Sequence, residues 1–250
     1  MTTIFTSHKL SLDECPKNLH RNLSEWDSLN PSYEFKYYND EEMKRWMKEN
    51  SDKETVSLFN RINTGAGRAD MFRICRLYVH GGIWIDADLP AFDINQQSPK
   101  FEEILKNSQA ILVRNRKCDN PRYTLIAGIR GNKLFSMLRD LISQHIKEAV
   151  NNRTQKTTMN ITGPFVLHEL LLTLCGFENV LIEKALEGGL DFDGLLSLDT
   201  TYKINGASFT YIDDIVPEKR TYPEENVYSG YEKDLRTMNV VPHGYTEPVK

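Results

Sequence analysis

Apolar residues recur along the chain at two spacings, and the order of those spacings predicts the fold. Thr2 to Ser7 is β-branched and aromatic, the composition of a strand. Pro16 to Leu29 carries Leu19, Leu23 and Trp26 on one helical stripe and stops at Asn30-Pro31. Tyr33 to Tyr38 reads as a second strand, and Asp40 as the cap of a helix bearing Met43, Trp46 and Met47. A weaker helical piece covers Val56 to Ile62, and Gly65-Ala66-Gly67 breaks the chain before the next helix. That helix runs from about Ala69 to Val79, with Met71, Ile74, Cys75 and Tyr78 at i, i+3, i+4 and i+7. Gly81-Gly82 ends it, because glycine tolerates the backbone of a helix stop.

Ile83 to Ile85 shows no polar alternation, as expected of a strand covered on both faces of a parallel sheet. Further strands are expected at Ala110 to Val113, Tyr123 to Ile129, Tyr202 to Ile204 and Ser208 to Ile212. Helices are expected from Asn132 to Ala149 and from Gly163-Pro164 to about Cys175, before a Pro/Gly/Tyr-rich tail. Strands alternating with helices predict an α/β fold with a mostly parallel central sheet flanked by helices. No repeat or linker divides the chain, so a single domain over residues 1–250 is expected.

Composition narrows the partners. A net charge of −4 gives no pull towards nucleic acid or an anionic membrane, so neither is expected as a partner. Cys15, Cys75, Cys118 and Cys175 form no CxxC pair, which argues against a zinc site or a disulfide framework. No apolar run has the length of a membrane span, and the first residues lack the pattern of a signal peptide. A cytoplasmic protein is the expectation.

Asp86-Ala87-Asp88 directly follows the buried strand. In open α/β sheets ligands bind beyond the carboxyl ends of strands. Two carboxylates there repel one another and call for a cation or a shared proton. An oxygen-only pair suits Mg²⁺ or Mn²⁺. The plainer account is a polar turn or a helix cap. Asp70 and Arg73, three apart, share a helix face off the apolar stripe. Their plainer account is a dipole-complementing carboxylate with its ion-pair partner, which predicts no fixed relation to the Asp86–Asp88 loop.

The stretch R-A-D-M-F-R followed by L-Y-V-H-G-G-I-W-I-D-A-D-L-P, residues 68 to 90, resembles the signature of the DXD sugar-binding glycosyltransferases, glycosyltransferase family 32 and its relatives. These include initiating α-1,6-mannosyltransferases, capsule glycosyltransferases and clostridial glucosylating toxins. Thr3 to Lys9 looks like a divergent copy of that family's first strand. The Trp26…Asn30-Pro31-Ser32-Tyr33-Glu34 run is similar to its W-x-x-x-N-P-x-Y-E, and Thr162-Gly163-Pro164 resembles a later G-P. The family's first-strand His-Gln and Trp are missing, and its C-terminal H-H-W…S-W is not plainly present; Pro242-His243-Gly244-Tyr245 is the nearest candidate.

The resemblance implies the GT-A fold, with residues 1–95 binding nucleotide sugar and metal and 96–250 forming the acceptor side. It implies transfer of a hexose, with retention, from a UDP- or GDP-hexose to a glycan or other hydroxyl acceptor, in glycan or polysaccharide synthesis. By it, Asp86 contacts ribose and metal, Asp88 and His243 bind Mn²⁺ or Mg²⁺, and Asp70 and Arg73 hold the donor sugar. Thr6, Ser7, Arg68 and Trp84 complete the donor pocket. Asp70, Arg73, Asp86 and Asp88 are thus the catalytic set.

Two other readings stand beside this one. A glycoside hydrolase would need carboxylates flanking a glycosidic bond about 5–9 Å apart. A non-catalytic sugar-nucleotide binder would bind without releasing nucleotide. Remaining candidates take plainer roles: His8, His20, His80, His145 and His168 are structural or exposed, Trp26 and Trp46 are core, and Glu224-Glu225 is a solvated turn. Gly65-x-Gly67 lacks the preceding strand and third glycine of a dinucleotide fingerprint.

Overall fold

The structure, a computed structural model, describes residues 1–62, 64–116, 120–152, 158–176 and 196–217. The chain runs β1 (Thr3–Ser7), α1 (Lys17–Leu29), β2 (Glu34–Tyr38), α2 (Asp40–Asn50), α3 (Lys53–Arg61), α4 (Gly65–His80) and β3 (Gly82–Ile85). It continues through α5 (Ile94–Gln97), α6 (Phe101–Ser108), β4 (Ala110–Asn115), β5 (Asn120–Gly128), α7 (Lys133–Asn152), α8 (Thr158–Ile161), α9 (Pro164–Leu174), β6 (Thr200–Ile204) and β7 (Ala207–Ile212). Cys118, Glu224-Glu225, His243 and its neighbours lie outside the described residues.

The strands form one sheet in the order β2-β1-β3-β5-β4-β7-β6. β1 pairs parallel with β2 and β3, and β4 parallel with β7, while β5 and β6 pair antiparallel with their neighbours. The sheet is therefore mixed, although β2, β1, β3, β4 and β7 all point the same way. Their carboxyl ends share one edge, and β5, running backwards, starts at that edge.

Both faces are covered, which explains the unbroken apolar strands. Phe5, Trp84, Leu112 and Ile126 pack on one face with residues of α2, α3, α4, α7 and α9. Ile4, Ile83, Ile85, Ile111, Val113 and Ala127 pack on the other with Trp26 of α1, Ile94 of α5 and Phe101 and Leu105 of α6. Successive residues of each strand thus feed opposite layers, as the pleat requires.

Local chemistry moves two helix starts from the positions the sequence pattern gives. α2 is capped by Asn39 rather than Asp40: Asn39 Oδ1 accepts from Glu42 N at 2.9 Å, and Glu42 Oε2 accepts from Asn39 N at 2.9 Å. This reciprocal pair is a capping box. α4 starts at Gly65, not near Ala69, because the Thr64 hydroxyl accepts from Gly67 N at 3.0 Å and closes the first turn. The glycines expected to break the chain are helical. Gly81 does end α4, with φ +71°, and an added Cβ would meet Arg130 N at 2.7 Å.

α4 departs most from its pattern. Its 3.6-residue stripe predicts one buried face, yet Gly67, Asp70 to Leu77 are all buried. The helix packs on β3 and β5 with α2, α7 and α8 around it. Its charged residues consequently find partners inside the protein.

His168 on α9 is buried, and desolvation lowers its imidazole to about 4. The unfolded chain, with histidine near 6.5, binds a proton there that the folded chain refuses. The stabilisation is present above pH 6.5 and lost as pH falls towards 4. Urea unfolding across that window is expected to show wild type losing up to about 3 kcal/mol more than His168→Gln; equal losses would remove the role given to this histidine.

Candidate active site

The Asp-Ala-Asp segment is a tight turn held at both ends. Asp86 N donates to Thr124 O at 2.9 Å, a last rung from β3 to β5. Leu89 N donates to Asp86 O at 2.9 Å, closing a four-residue turn with Asp88 third. α1 then grips the chain beyond it. Asn22 Nδ2 donates to Ala87 O and Leu89 O, each at 2.9 Å, while Ala91 N donates to Asn22 Oδ1 at 2.9 Å. Trp26 Nε1 donates to Leu89 O at 2.9 Å. Asn30 bonds Phe92 O at 2.9 Å and Ile94 N at 3.0 Å. All three side chains are buried, so these bonds face no competition from water.

Arg73 joins this turn to α4. Its Nη2 lies 2.8 Å from Asp70 Oδ1, and its Nη1 lies 3.3 Å from Asp86 Oδ1 and donates to Tyr123 O at 2.6 Å. Its guanidinium sits between the rings of Trp84 and Tyr123, 4.5 Å from each centroid. Trp84 Nε1 donates to Asp86 Oδ1 at 2.8 Å. Asp70 Oδ2 accepts from the Thr162 hydroxyl at 3.0 Å. The dipole account of Asp70 predicts no fixed tie to the loop, whereas one buried cation here bridges both.

The electrostatics leave negative charge in excess. Burial raises the Asp70 carboxyl to about 6 despite Arg73, and the Asp86 charge adds to the rise. Asp88 reaches solvent, yet protein surrounds it closely enough for desolvation, with repulsion from Asp86, to hold its carboxyl above the usual range.

Of the residues expected at the site, Asp70, Arg73, Trp84 and Asp86 form one contact network and Asp88 adjoins it. Trp84 is buried beneath the site as a donor to Asp86, so its ring face is unavailable for stacking on a base. Thr6 and Ser7 end β1 beside β3, and their buried hydroxyls find no hydrogen-bond partner among the described residues. Arg68 turns away from the network: its Nε donates to Ile62 O at 2.6 Å, and its Nη1 lies 3.8 Å from Asp40.

Sequence reasoning misses Asn22, Asn30, Tyr123 and Thr162. A signal existed for the first two. Asn22 and Asn30 continue the Leu19–Leu23–Trp26 stripe, and a polar residue on a buried stripe marks a satisfied internal bond.

Residues 16–123 match the family described as the glycosyltransferase sugar-binding region containing the DXD motif. That stretch, which holds α1 through β3 and the Asp86–Asp88 loop, is similar to the sugar-binding region of the DXD glycosyltransferases. Among solved structures, the chain is similar to one described as PaToxG Glycosyltransferase, at 15% identity and a TM-score of 0.51 over 78% of each chain. That likeness concerns the fold and accords with the GT-A arrangement. Comparison with curated proteins gives no match. No helix among the described residues is long and apolar enough to cross a membrane.

Asn22→Ala strips the side-chain partner from the Ala87 carbonyl and the Ala91 N–H, and leaves Leu89 O with Trp26 Nε1 alone. A loss of at least about 2 kcal/mol in unfolding free energy is expected, since each orphaned group costs about 1–3 kcal/mol. A change under about 0.5 kcal/mol by urea unfolding would show that the loop does not depend on α1.

Proposed function

We infer that this chain moves a hexose from a UDP- or GDP-hexose to the hydroxyl of a glycan or other acceptor, aided by Mn²⁺ or Mg²⁺, in glycan or polysaccharide synthesis. The observation that carries this reading is the Asp70–Arg73–Asp86 bridge. It ties a buried carboxylate on α4, through one guanidinium, to the first of the tandem aspartates.

The donor set fits a hard divalent cation. Asp86 and Asp88 offer only oxygen, and their mutual repulsion is what such an ion relieves. No group of three or more His, Cys, Asp or Glu side chains converges for a metal among the described residues. An ion held by the two aspartates would therefore complete its shell with water and diphosphate oxygens, the usual habit of Mg²⁺. When bound, it supplies charge neutralisation for the departing nucleoside diphosphate. His243, the further ligand implied by the resemblance, lies outside the described residues. Retention at the anomeric carbon is likewise carried by the resemblance.

The protein's own groups divide the remaining work. Among the described residues Asp70 has one partner on each oxygen, Arg73 and Thr162, which leaves a lone pair on each for a sugar hydroxyl. Arg73 turns both Nη1 and Nη2 to protein acceptors, so it orients Asp70 and Asp86 rather than reaching for sugar itself. Thr6 and Ser7 bring hydroxyls with no partner among the described residues to the same strand edge and suit a polar donor. Trp84 and Tyr123 keep water from the guanidinium, which strengthens its hold on both carboxylates.

A thermal-shift screen of UDP-glucose and GDP-mannose with and without Mn²⁺ tests this reading. Stabilisation that needs both sugar nucleotide and metal is expected. Asp88→Ala should abolish it and cut metal-dependent donor hydrolysis by about a hundredfold or more. Full hydrolysis by that variant in Mn²⁺ would overturn the metal assignment.

A further inference from the structure

Thr162 lies beyond the residues that match the family, at the joint between α8 and α9, and is fully buried. Its hydroxyl hydrogen has two acceptors within reach: Asp70 Oδ2 at 3.0 Å and Thr158 O at 3.3 Å. The nearer acceptor carries charge, and charge-assisted bonds are the stronger ones. The carbonyl of Thr162 accepts from the Tyr123 hydroxyl at 3.1 Å, and Tyr123 forms one side of the Arg73 sandwich. One residue therefore touches both the carboxylate of the site and the wall behind its guanidinium.

The surrounding sequence is shaped for this approach. Gly67 leaves α4 bare opposite the joint; a Cβ there would lie 3.4 Å from Thr162 Oγ1 and only 2.8 Å from Thr64 Oγ1. A Cβ on Gly163 would meet Met159 Cα at 2.8 Å, so only glycine permits the tight passage out of α8. Pro164 then opens α9 at its first position, where a missing N–H costs nothing. His145 of α7 pins the joint from behind, with Nδ1 3.0 Å from Asn160 O and Nε2 3.3 Å from Glu169 of α9.

We propose that Thr162 is a positioning residue for glycosyl transfer: its hydroxyl fixes the rotamer of Asp70 and holds it as a carboxylate facing the donor sugar. Arg73 holds Oδ1, and Thr162 holds Oδ2 from the opposite side. With either grip lost, the carboxylate turns about its side-chain torsions. Its remaining lone pairs then leave the direction of the sugar hydroxyls. The part of the chain after residue 123 thereby sets the geometry of a residue in the family-matched part. The activity arm of this proposal rests on the transferase reading; the structural arm does not.

The test compares Thr162→Val, which keeps shape and removes the hydroxyl, with Thr162→Ser, which keeps the hydroxyl. Thr162→Ala replaces the valine variant if that one does not fold. Donor hydrolysis with Mn²⁺ is read on UDP-glucose and GDP-mannose, and the Asp70 carboxyl is titrated by ¹³C NMR in metal-free protein. The valine variant should lose about tenfold or more in kcat/KM, the scale of one hydrogen bond to a charged group, and serine should restore it to within about twofold. The Asp70 midpoint should rise in the valine variant and return with serine. In an Asp70→Asn background the valine change should add nothing, because coupled residues are not additive. An unmoved Asp70 midpoint, or an equal valine penalty with and without Asp70, would overturn the proposal. If wild type hydrolyses neither donor, the donor reading falls, and the NMR arm still decides Thr162.

Discussion

A guanidinium buried between two aromatic rings holds the candidate site in register. Arg73 meets Asp70 on its own helix and Asp86 on the loop after β3, so one cation ties a helix to a strand end. Burial makes each of these charges costly, and only their mutual pairing offsets that cost. The arrangement is consequently all-or-none. A helix α4 shifted along its axis by one turn would strand Arg73 among rings and leave Asp70 without its cation. The same scarcity of solvent that penalises misplacement strengthens each correct contact.

A second constraint acts on the backbone. The loop from Ala87 to Ile94 has no regular partner strand, so its carbonyls and N–H groups need other bonds. Asn22 and Trp26 of α1 and Asn30 at its C-terminal end provide them. The Trp26…Asn30 run is thus both core and scaffold: its rings and methylenes fill the layer beneath the sheet while its polar tips draw the loop's path. Asp88 can face solvent because neighbours on either side of it are tied down.

The proposed glycosyl transfer calls for this combination of a rigid floor and an accessible acidic rim. The sheet delivers it by direction: five strands end at one edge, and β5 begins there, bringing Tyr123 and Thr124 beside Asp86. The later helices contribute as well, since Thr162 reaches Asp70 from the α8–α9 joint. Residues far apart along the chain converge because the two helical layers close over opposite faces of one sheet.

Local pattern by itself determined much of this protein. The unbroken apolar run at Ile83 to Ile85 already meant a strand buried on both sides, and Gly81-Gly82 already meant a helix stop before it. The Asp86–Asp88 pair, placed after that strand, already pointed to the sheet edge where ligands bind. The sequence pattern misled at α4, where a stripe of four apolar residues implied an exposed opposite face. Periodicity counts apolar side chains, and it cannot register that Asp70 and Arg73 are buried by neutralising one another, or Arg76 by donating to the Gly81 carbonyl. It cannot show the antiparallel turn of β5, which depends on pairing between distant strands. Nor can it find Thr162 or Asn22, whose roles are contacts 92 and 65 residues away along the chain. Spacing encodes what a segment buries; the partner it meets there is fixed only when the layers pack.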